Sequence, residues 1–199
     1  MKKFLLSVLS ICMFLGLFGV ASATTILNFD DVTNNLATLT SYGGLDWTNS
    51  QVAIAGWQYA GTSYYVESAV SGDYAFVSNS GLLEVTASIS SGTFDFWGAY
   101  FTPANYNALG DVIVEGFLGN VSQGTQTVDL LGATPLWVDF SFTGIDKLVL
   151  TADPLNNTHQ SFFAMDDFTF DANPVPEPAT MLLFGLGLLG LAGVNRKKK

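Results

Sequence analysis

Two pairs of adjacent aspartates lie near opposite ends of the chain, Asp30-Asp31 and Asp166-Asp167. Each pair falls in a strand-like segment, so each puts one carboxylate on either face. If the two strands are neighbours, some of these carboxylates converge, and Ca²⁺ takes about six to eight oxygen ligands, which carbonyls and water complete. The pairs therefore predict a structural Ca²⁺ site built from Asp31 and Asp167, with Asp30 or Asp166 as a further ligand. The alternative is that these acids are solvated strand ends that only add negative charge.

Several aromatic side chains lie in segments rich in glycine, serine and asparagine rather than in alternating strands. They are Trp47, Trp57, Tyr59, Tyr64, Tyr65 and Tyr106. A sugar ring stacks its C–H face on such a side chain, and nearby Asn or Asp side chains hydrogen-bond its hydroxyls. The pattern indicates a glycan-binding surface, with Trp47 and Trp57 as the leading candidates. The alternative is that these rings fold back onto the hydrophobic core.

Catalytic chemistry finds little support in the sequence. His159 is the only histidine and lies in a polar segment, and the only cysteine, Cys12, lies in the apolar N-terminal stretch. The sequence has no serine elbow, phosphate loop or histidine-rich metal cluster. We therefore predict a protein that is not an enzyme. A glycoside hydrolase that uses two carboxylates stays open, because the chain has many acids.

The charge of the central part of the chain is one-sided. Between Thr24 and Val175 there are 16 acidic residues and a single base, Lys147, which gives a net charge of −15. Such a charge excludes nucleic acid and anionic lipid as partners, because both are polyanions. It favours cations, neutral glycans and basic partners.

The N-terminus has the pattern of a secretory signal peptide over residues 1–23. Lys2 and Lys3 form the charged start, and residues 4–20 are mainly apolar. Ala21 and Ala23 then form a small-residue cleavage site. The exported chain is predicted to begin at Thr24 and to contain no thiol, so that no disulfide stabilises it.

The C-terminal tail, residues 176–199, combines three elements. Pro176, Glu177 and Pro178 precede the apolar run 179–194, and the basic residues follow. These are Arg196, Lys197, Lys198 and Lys199. A helix over the 16 apolar residues is about 24 Å long and approaches the thickness of a hydrocarbon core. Because cationic ends stay cytoplasmic, the tail predicts a transmembrane helix with the rest of the chain exported.

In motif order and spacing this tail resembles the PEP-CTERM sorting tail of Gram-negative bacteria, which the membrane enzyme exosortase reads. The resemblance implies that Pro176, Glu177 and Pro178 are the recognition motif and residues 179–194 the membrane anchor. The basic residues 196–199 would be the stop-transfer block. It also implies export through the inner membrane, cleavage near the motif, and a final location at the cell surface or outside the cell.

Residues 24–171 read as one all-β domain, followed by a short tether over residues 172–175. About ten strand-like runs are separated by glycine-rich or polar breaks. In residues 136–142 the apolar side chains occupy every second position, which is typical of half-buried antiparallel strands. We predict an antiparallel β-sandwich, with a jelly roll favoured over an immunoglobulin-like topology.

Three short segments of this domain resemble an ectodomain found ahead of PEP-CTERM tails. They are residues 28–31, 42–48 and 163–168, and the first and last are also similar to the terminal strands of carbohydrate-binding jelly rolls. In such modules the first and last strands run side by side, and acids from both hold a structural calcium. This resemblance implies a fold more than an activity.

Three classes of function remain. The favoured one is a non-catalytic, exported surface or matrix protein associated with exopolysaccharide or biofilm, a setting that the resemblance supplies. The second is a carbohydrate-binding adhesin module, and the third is a glycoside-acting enzyme. Exosortase, the inner membrane before processing, and exopolysaccharide are the expected partners.

Overall fold

β-Strands dominate the computed structural model, which describes residues 23–32, 34–54, 68–78, 84–103, 110–130, 134–154 and 162–173. Thirteen strands cover most of these ranges. They are β1 (Thr24–Leu27), β2 (Ala37–Thr38), β3 (Ser41–Tyr42), β4 (Leu45–Thr48), β5 (Ser50–Ile54), β6 (Tyr74–Ser78), β7 (Glu84–Ser88), β8 (Thr93–Pro103), β9 (Gly110–Leu118), β10 (Val121–Asp129), β11 (Leu136–Ile145), β12 (Lys147–Pro154) and β13 (Phe163–Asn173). Within these ranges no helix has the length and apolar character needed to cross a membrane.

The strands form two antiparallel sheets. Sheet A has the order β11-β8-β13-β6-β5-β2, and β1 also pairs with β13. Sheet B has the order β10-β9-β12-β7-β4-β3. Most neighbours in each sheet are not consecutive in the chain, so the chain passes repeatedly between sheets, as it does in jelly rolls. This arrangement confirms the prediction of an all-β sandwich.

Apolar side chains at alternate strand positions fill the space between the sheets. Phe94, Phe96 and Phe101 of β8 are fully buried, as are Phe168 and Phe170 of β13. The rings of Phe96 and Phe168 stack with their centroids 4.5 Å apart. Such aromatic pairs contribute about 0.5–1.5 kcal/mol beyond the burial of their area. This aromatic core stabilises a domain that has no cysteine in its described residues.

The first and last strands lie side by side, as the resemblance to jelly rolls implied. Thr24 of β1 is opposite Asp171 of β13, and Leu27 is opposite Phe168. On its other edge β13 pairs with β8. Strand β13 therefore lies inside sheet A, and the sheet needs this C-terminal strand to be complete.

Two boundaries differ from the sequence prediction. Asp30 and Asp31 lie in a turn after β1 rather than inside the first strand, because the backbone turns at Phe29, whose φ is 59°. At the other end β13 continues to Asn173 and so includes the first half of the expected tether. Only two residues separate its end from Pro176.

Strand β13 contains a bulge at its paired aspartates. Phe163 and Met165 are buried before the bulge, and Phe168 and Phe170 after it, so the inward positions shift by one residue. The register with β8 shifts between Asp166 and Thr169. Asp167, at the shift, has a φ of 49°, a conformation that Asp adopts more readily than most side chains. Bulges of this kind re-aim side chains, and here the bulge sets the directions of two carboxylates.

Candidate functional site

The paired aspartates hold a short loop segment, residues 70–74, from two sides. From the turn after β1, Oδ1 of Asp30 accepts hydrogen bonds from the backbone N–H of Asp73 (2.8 Å) and of Tyr74 (3.1 Å). From β13, Oδ2 of Asp166 accepts the backbone N–H of Val70 (2.7 Å) and of Ser71 (2.9 Å). We call Asp30, Asp166, Asp167 and residues 70–74 the carboxylate staple. It joins both ends of the domain to the start of β6.

Two further contacts close the carboxylate staple. The Ser71 hydroxyl donates to Oδ1 of Asp167 at 2.8 Å. Gly72 has a φ of 58°, and a Cβ added to it would lie only 1.9 Å from a carboxylate oxygen of Asp30. The segment therefore requires glycine at this position for two reasons, its backbone conformation and its close approach to Asp30.

Asp166 is the buried member of the carboxylate staple, with no exposed surface. Burial raises the pKa of its carboxyl to about 6, although the N–H groups of Ser71, Val70 and Asp167 act in the opposite direction by stabilising the charged form. The neighbouring charge of Asp167 adds to the rise. The carboxyl group therefore titrates well above the usual range of an aspartate.

Asp31, the remaining predicted ligand, binds a different partner. Its Oδ1 accepts a hydrogen bond from the phenol of Tyr42 in β3. Burial, together with this hydrogen bond and the charge of Asp31, raises the pKa of Tyr42 well above its ordinary value. Asp31 therefore ties the turn after β1 to sheet B instead of pointing towards Asp166.

Two of the predicted calcium ligands have hydrogen-bond partners within the fold. Oδ1 of Asp30 and Oδ2 of Asp166 accept backbone N–H groups, which repel a cation. Over the described ranges, no group of three or more histidine, cysteine or acidic side chains is arranged to hold a metal ion. Calcium binding thus stays a prediction, and the hydrogen bonds assign these acids a role that needs no ion.

Trp47 is not in a loop, and that expectation is wrong. It lies in β4 and only 3% of its surface is exposed. Its ring packs against Phe76 and Phe168, with centroids 5.3 Å away in each case. Its indole N–H donates to the carbonyl of Tyr42 at 3.0 Å. A side chain enclosed in this way has no face for a sugar, so Trp47 belongs to the core.

A different tryptophan lies on the outer face of sheet A. Trp137 of β11 is directly opposite Tyr100 of β8, and their rings meet edge to face with centroids 5.2 Å apart. Tyr100 lies between the buried side chains of Ala99 and Phe101, so it points away from the core. Both residues are partly exposed. We call Trp137 and Tyr100 the aromatic pair.

The orientation of Trp137 is fixed from two directions. Its indole N–H donates to Oδ1 of Asp139 at 2.8 Å. Its ring lies over Gly98 of β8, where an added Cβ would come within 2.6 Å of a ring carbon. The absence of a side chain at Gly98 therefore lets the indole lie against the sheet.

The aromatic pair and the carboxylate staple are neighbours. Asp166 is opposite Tyr100 in the register of β13 and β8, so Trp137, Tyr100 and Asp166 form one row across three strands. Val70, whose N–H binds Asp166, is 44% exposed. The staple thus holds residues 70–74 at one end of this row.

The sequence contained a signal for the aromatic pair that composition alone does not reveal. In residues 136–142 the apolar positions 136, 138, 140 and 142 point one way, so an intervening aromatic such as Trp137 must point the other way. An aromatic side chain at a polar position of an amphipathic strand is a better indicator of a surface site than one in a glycine-rich segment.

Several predicted site residues lie outside the described residues. They are Ala21, Trp57, Pro176, Glu177, Pro178, Arg196, Lys197, Lys198 and Lys199. Ala23 is described, is exposed, and directly precedes β1. Signal cleavage after Ala23 and the glycan role of Trp57 stay predictions.

Solved structures similar to this chain share low sequence identity with it. The CBM22-1 xylan-binding domain of Paenibacillus barcinonensis Xyn10C is 15% identical to this chain, with a TM-score of 0.41. The alignment covers 79% of this chain and 100% of the xylan-binding domain. TmCBM61 in complex with β-1,4-galactotriose is 12% identical over 71% of this chain and 100% of that chain, with a TM-score of 0.39. The Stig cyclase Fisc from Fischerella sp. TAU is 10% identical, with a TM-score of 0.48. That alignment covers 77% of this chain and 100% of the cyclase. Similarities this distant say nothing about what this chain binds.

No curated protein sequence matches this chain. Its C-terminal region, in contrast, matches the model of a known protein family. Residues 174–197 match the PEP-CTERM protein-sorting motif. The match includes Pro176, Glu177 and Pro178, as well as Arg196 and Lys197. The chain therefore carries the sorting signal of an exported protein that exosortase processes.

Proposed function

We propose that this chain is a non-catalytic surface protein that attaches to extracellular polysaccharide through the aromatic pair. The sorting motif at residues 174–197 supports export. The observation that carries the binding role is the indole of Trp137, which is partly exposed and held in place by Asp139 and Gly98. A fixed, accessible ring is the kind of surface on which a sugar stacks.

The physical argument rests on preorganisation. A flexible aromatic side chain loses conformational freedom when it binds a ligand, whereas Trp137 already has its orientation fixed. The C–H face of a pyranose covers the apolar ring, and its hydroxyls reach neighbouring polar groups such as the carboxylate of Asp139. The aromatic pair lies on the outer face of a sheet, a position that suits a polymer better than a single small sugar.

Affinity electrophoresis of the exported protein, in gels that contain the extracellular polysaccharide of its own host, tests this function. The proposal predicts that the polysaccharide retards the protein and that Trp137→Ala removes most of the retardation. Leu136→Ala is the matched control, because Leu136 is the adjacent residue, is 50% exposed and lies opposite Phe101 rather than Tyr100. Equal loss of retardation in both variants would count against the site.

The non-catalytic part of the proposal has its own measurement. The protein is incubated with the same polysaccharide, and new reducing ends are counted over time. We expect none above the level of a heat-denatured control. Steady release of reducing ends would instead favour the glycoside-acting alternative.

Processing by exosortase is tested by mass spectrometry of the exported form. Strand β13 ends at Asn173, so a cut that leaves the fold intact must lie after that residue. We expect a C-terminus near Pro176 in the wild type. The variant Glu177→Ala should retain Lys199 and stay in the membrane fraction, whereas processing that ignores this change would contradict a role for the motif.

A further inference from the structure

A carboxylate lies beside the aromatic pair and is open to solvent. Asp139 is exposed, and its Oδ1 accepts the indole N–H of Trp137. In the register of β11 and β8, Asp139 is opposite Gly98, which has no side chain to cover it. A ligand that stacks on the indole can therefore reach the negatively charged carboxylate of Asp139 at the edge of the ring.

More acids follow along the same face of sheet A. Asp95 of β8 is directly opposite Asp171 of β13. Each follows an inward-facing phenylalanine, so both carboxylates belong to the outer face. Like charges in this arrangement destabilise a sheet. One oxygen of Asp171 is also buried with no hydrogen-bond partner in the described part of the chain.

Within the described ranges, no basic side chain lies on the same sheet as these acids. Lys147 is the only base between Thr24 and Val175, and it lies in β12 of sheet B. Its ammonium group is 4.6 Å from the ring centroid of Phe117, where it makes a cation–π contact. Oδ1 of Asp95 accepts the backbone N–H of Gly144 at 2.6 Å, but no basic side chain of the described residues pairs with Asp95, Asp139 or Asp171. The outer face of sheet A therefore combines aromatic rings with carboxylates that have no cationic partner among the described residues.

From these observations we propose that the ligand of this face is a polysaccharide that carries protonated amino groups. The inference rests on the proposed function and narrows its ligand class. A protonated amino sugar would place its ring on Trp137 and its ammonium near the indole and Asp139, where a cation–π contact and an ion pair act together. Tyr100 and Asp95 are five residues apart along β8, about 17 Å, so further units of the polymer reach the Asp95–Asp171 pair.

The charge of the domain also excludes competing ligands. A polymer of uronic acids or sulfated sugars meets a domain with a net charge of −15 and is repelled. A neutral polymer gains stacking on the aromatic pair but no electrostatic attraction. Because each amino group adds a weak interaction and a polymer carries many of them, we expect the amine form to bind about tenfold more tightly than its N-acetylated form.

The test compares one polymer in two chemical states. The exported protein is titrated by calorimetry with short, water-soluble chitosan oligomers at mildly acidic pH and with the same oligomers after full N-acetylation. An alginate chain serves as the polyanion and polylysine as a cation without sugar rings. We expect binding in the order chitosan, N-acetylated chitosan, alginate, with the last not detected.

Variants separate the site from the overall charge. Asp139→Asn should lower the affinity for chitosan several-fold, whereas Asp46→Asn, which removes an exposed acid from β4 of sheet B, should not. Trp137→Ala should weaken chitosan binding but leave polylysine binding unchanged. If every variant binds chitosan and polylysine as tightly as the wild type does, the attraction comes from net charge alone and the inference is overturned.

The remaining outcomes distinguish this inference from the proposed function. Equal affinity for both forms of chitosan, lost in Trp137→Ala, overturns the amine preference and leaves a neutral polysaccharide as the ligand of the aromatic pair. If neither form binds and the host polysaccharide also fails to retard the protein, the proposed function fails as well.

Discussion

The carboxylate staple and the aromatic pair are adjacent on sheet A, yet their side chains are used differently. In the staple, the charges of Asp30 and Asp166 are satisfied by backbone N–H groups of residues 70–74. In the aromatic pair, Trp137 is fixed by its own chain but keeps part of its ring exposed. Residue type alone therefore does not identify a binding site. What matters is whether the side chain has already found its partner within the fold.

This difference separates stability from binding. Changes inside the core or the carboxylate staple should lower the melting temperature and leave polysaccharide binding to the folded protein unchanged. Changes in the aromatic pair should do the reverse.

The largest effect is expected for Trp47→Ala. Loss of an almost fully buried tryptophan, which packs on Phe76 and Phe168, should lower the free energy of unfolding by about 3–5 kcal/mol. For a domain of this size the melting temperature should fall by roughly 10 °C. Trp137→Ala is the matched control, and loss of its partly exposed ring, which contacts Tyr100, should cost only about 1 kcal/mol. Similar losses in both variants would contradict the division between core and surface tryptophans.

Gly72→Ala should have the next largest effect. Alanine at a φ of 58° costs about 1–2 kcal/mol, and its Cβ also collides with the carboxylate of Asp30. Gly119→Ala is the control, since Gly119 has a φ of 62° but no atom within 4 Å of an added Cβ. The difference between the two unfolding free energies isolates the cost of displacing Asp30 from the carboxylate staple. A difference near zero would mean that the staple adds little to stability.

These two predictions also show how much the sequence could reveal. Alternation of apolar residues was sufficient for the all-β sandwich, because long strands such as β8 and β11 have a buried face that sets their period. It failed for Trp47, since β4 is only four residues long and follows a glycine pair that reads as a loop. Of the four paired acids, Asp30, Asp166 and Asp167 contact the same loop segment, whereas Asp31 binds Tyr42. Their partners were not predictable, because backbone N–H groups carry no sequence signal and the bulge at Asp167 depends on tertiary structure.

The pH dependence of stability should report on Asp166. Its pKa is raised to about 6 in the folded state, so between about pH 4 and pH 6 the folded protein holds more protons than the unfolded chain. Stability should therefore decrease as the pH rises through this window. In Asp166→Asn this decrease should be smaller, whatever the absolute melting temperature of the variant. Parallel curves for wild type and variant would show that Asp166 does not titrate in this range.

The smallest effect is expected for calcium. The hydrogen bonds of the carboxylate staple already satisfy Asp30 and Asp166, so the melting temperature should be the same in calcium and in chelator when ionic strength is matched. Magnesium is the control for charge screening, because a domain of net charge −15 gains some stability from any divalent cation. A rise specific to calcium, and lost in Asp167→Asn, would confirm the calcium site predicted from the sequence. It would also mean that the staple rearranges around an ion, since the N–H groups now bound to these carboxylates would have to give way.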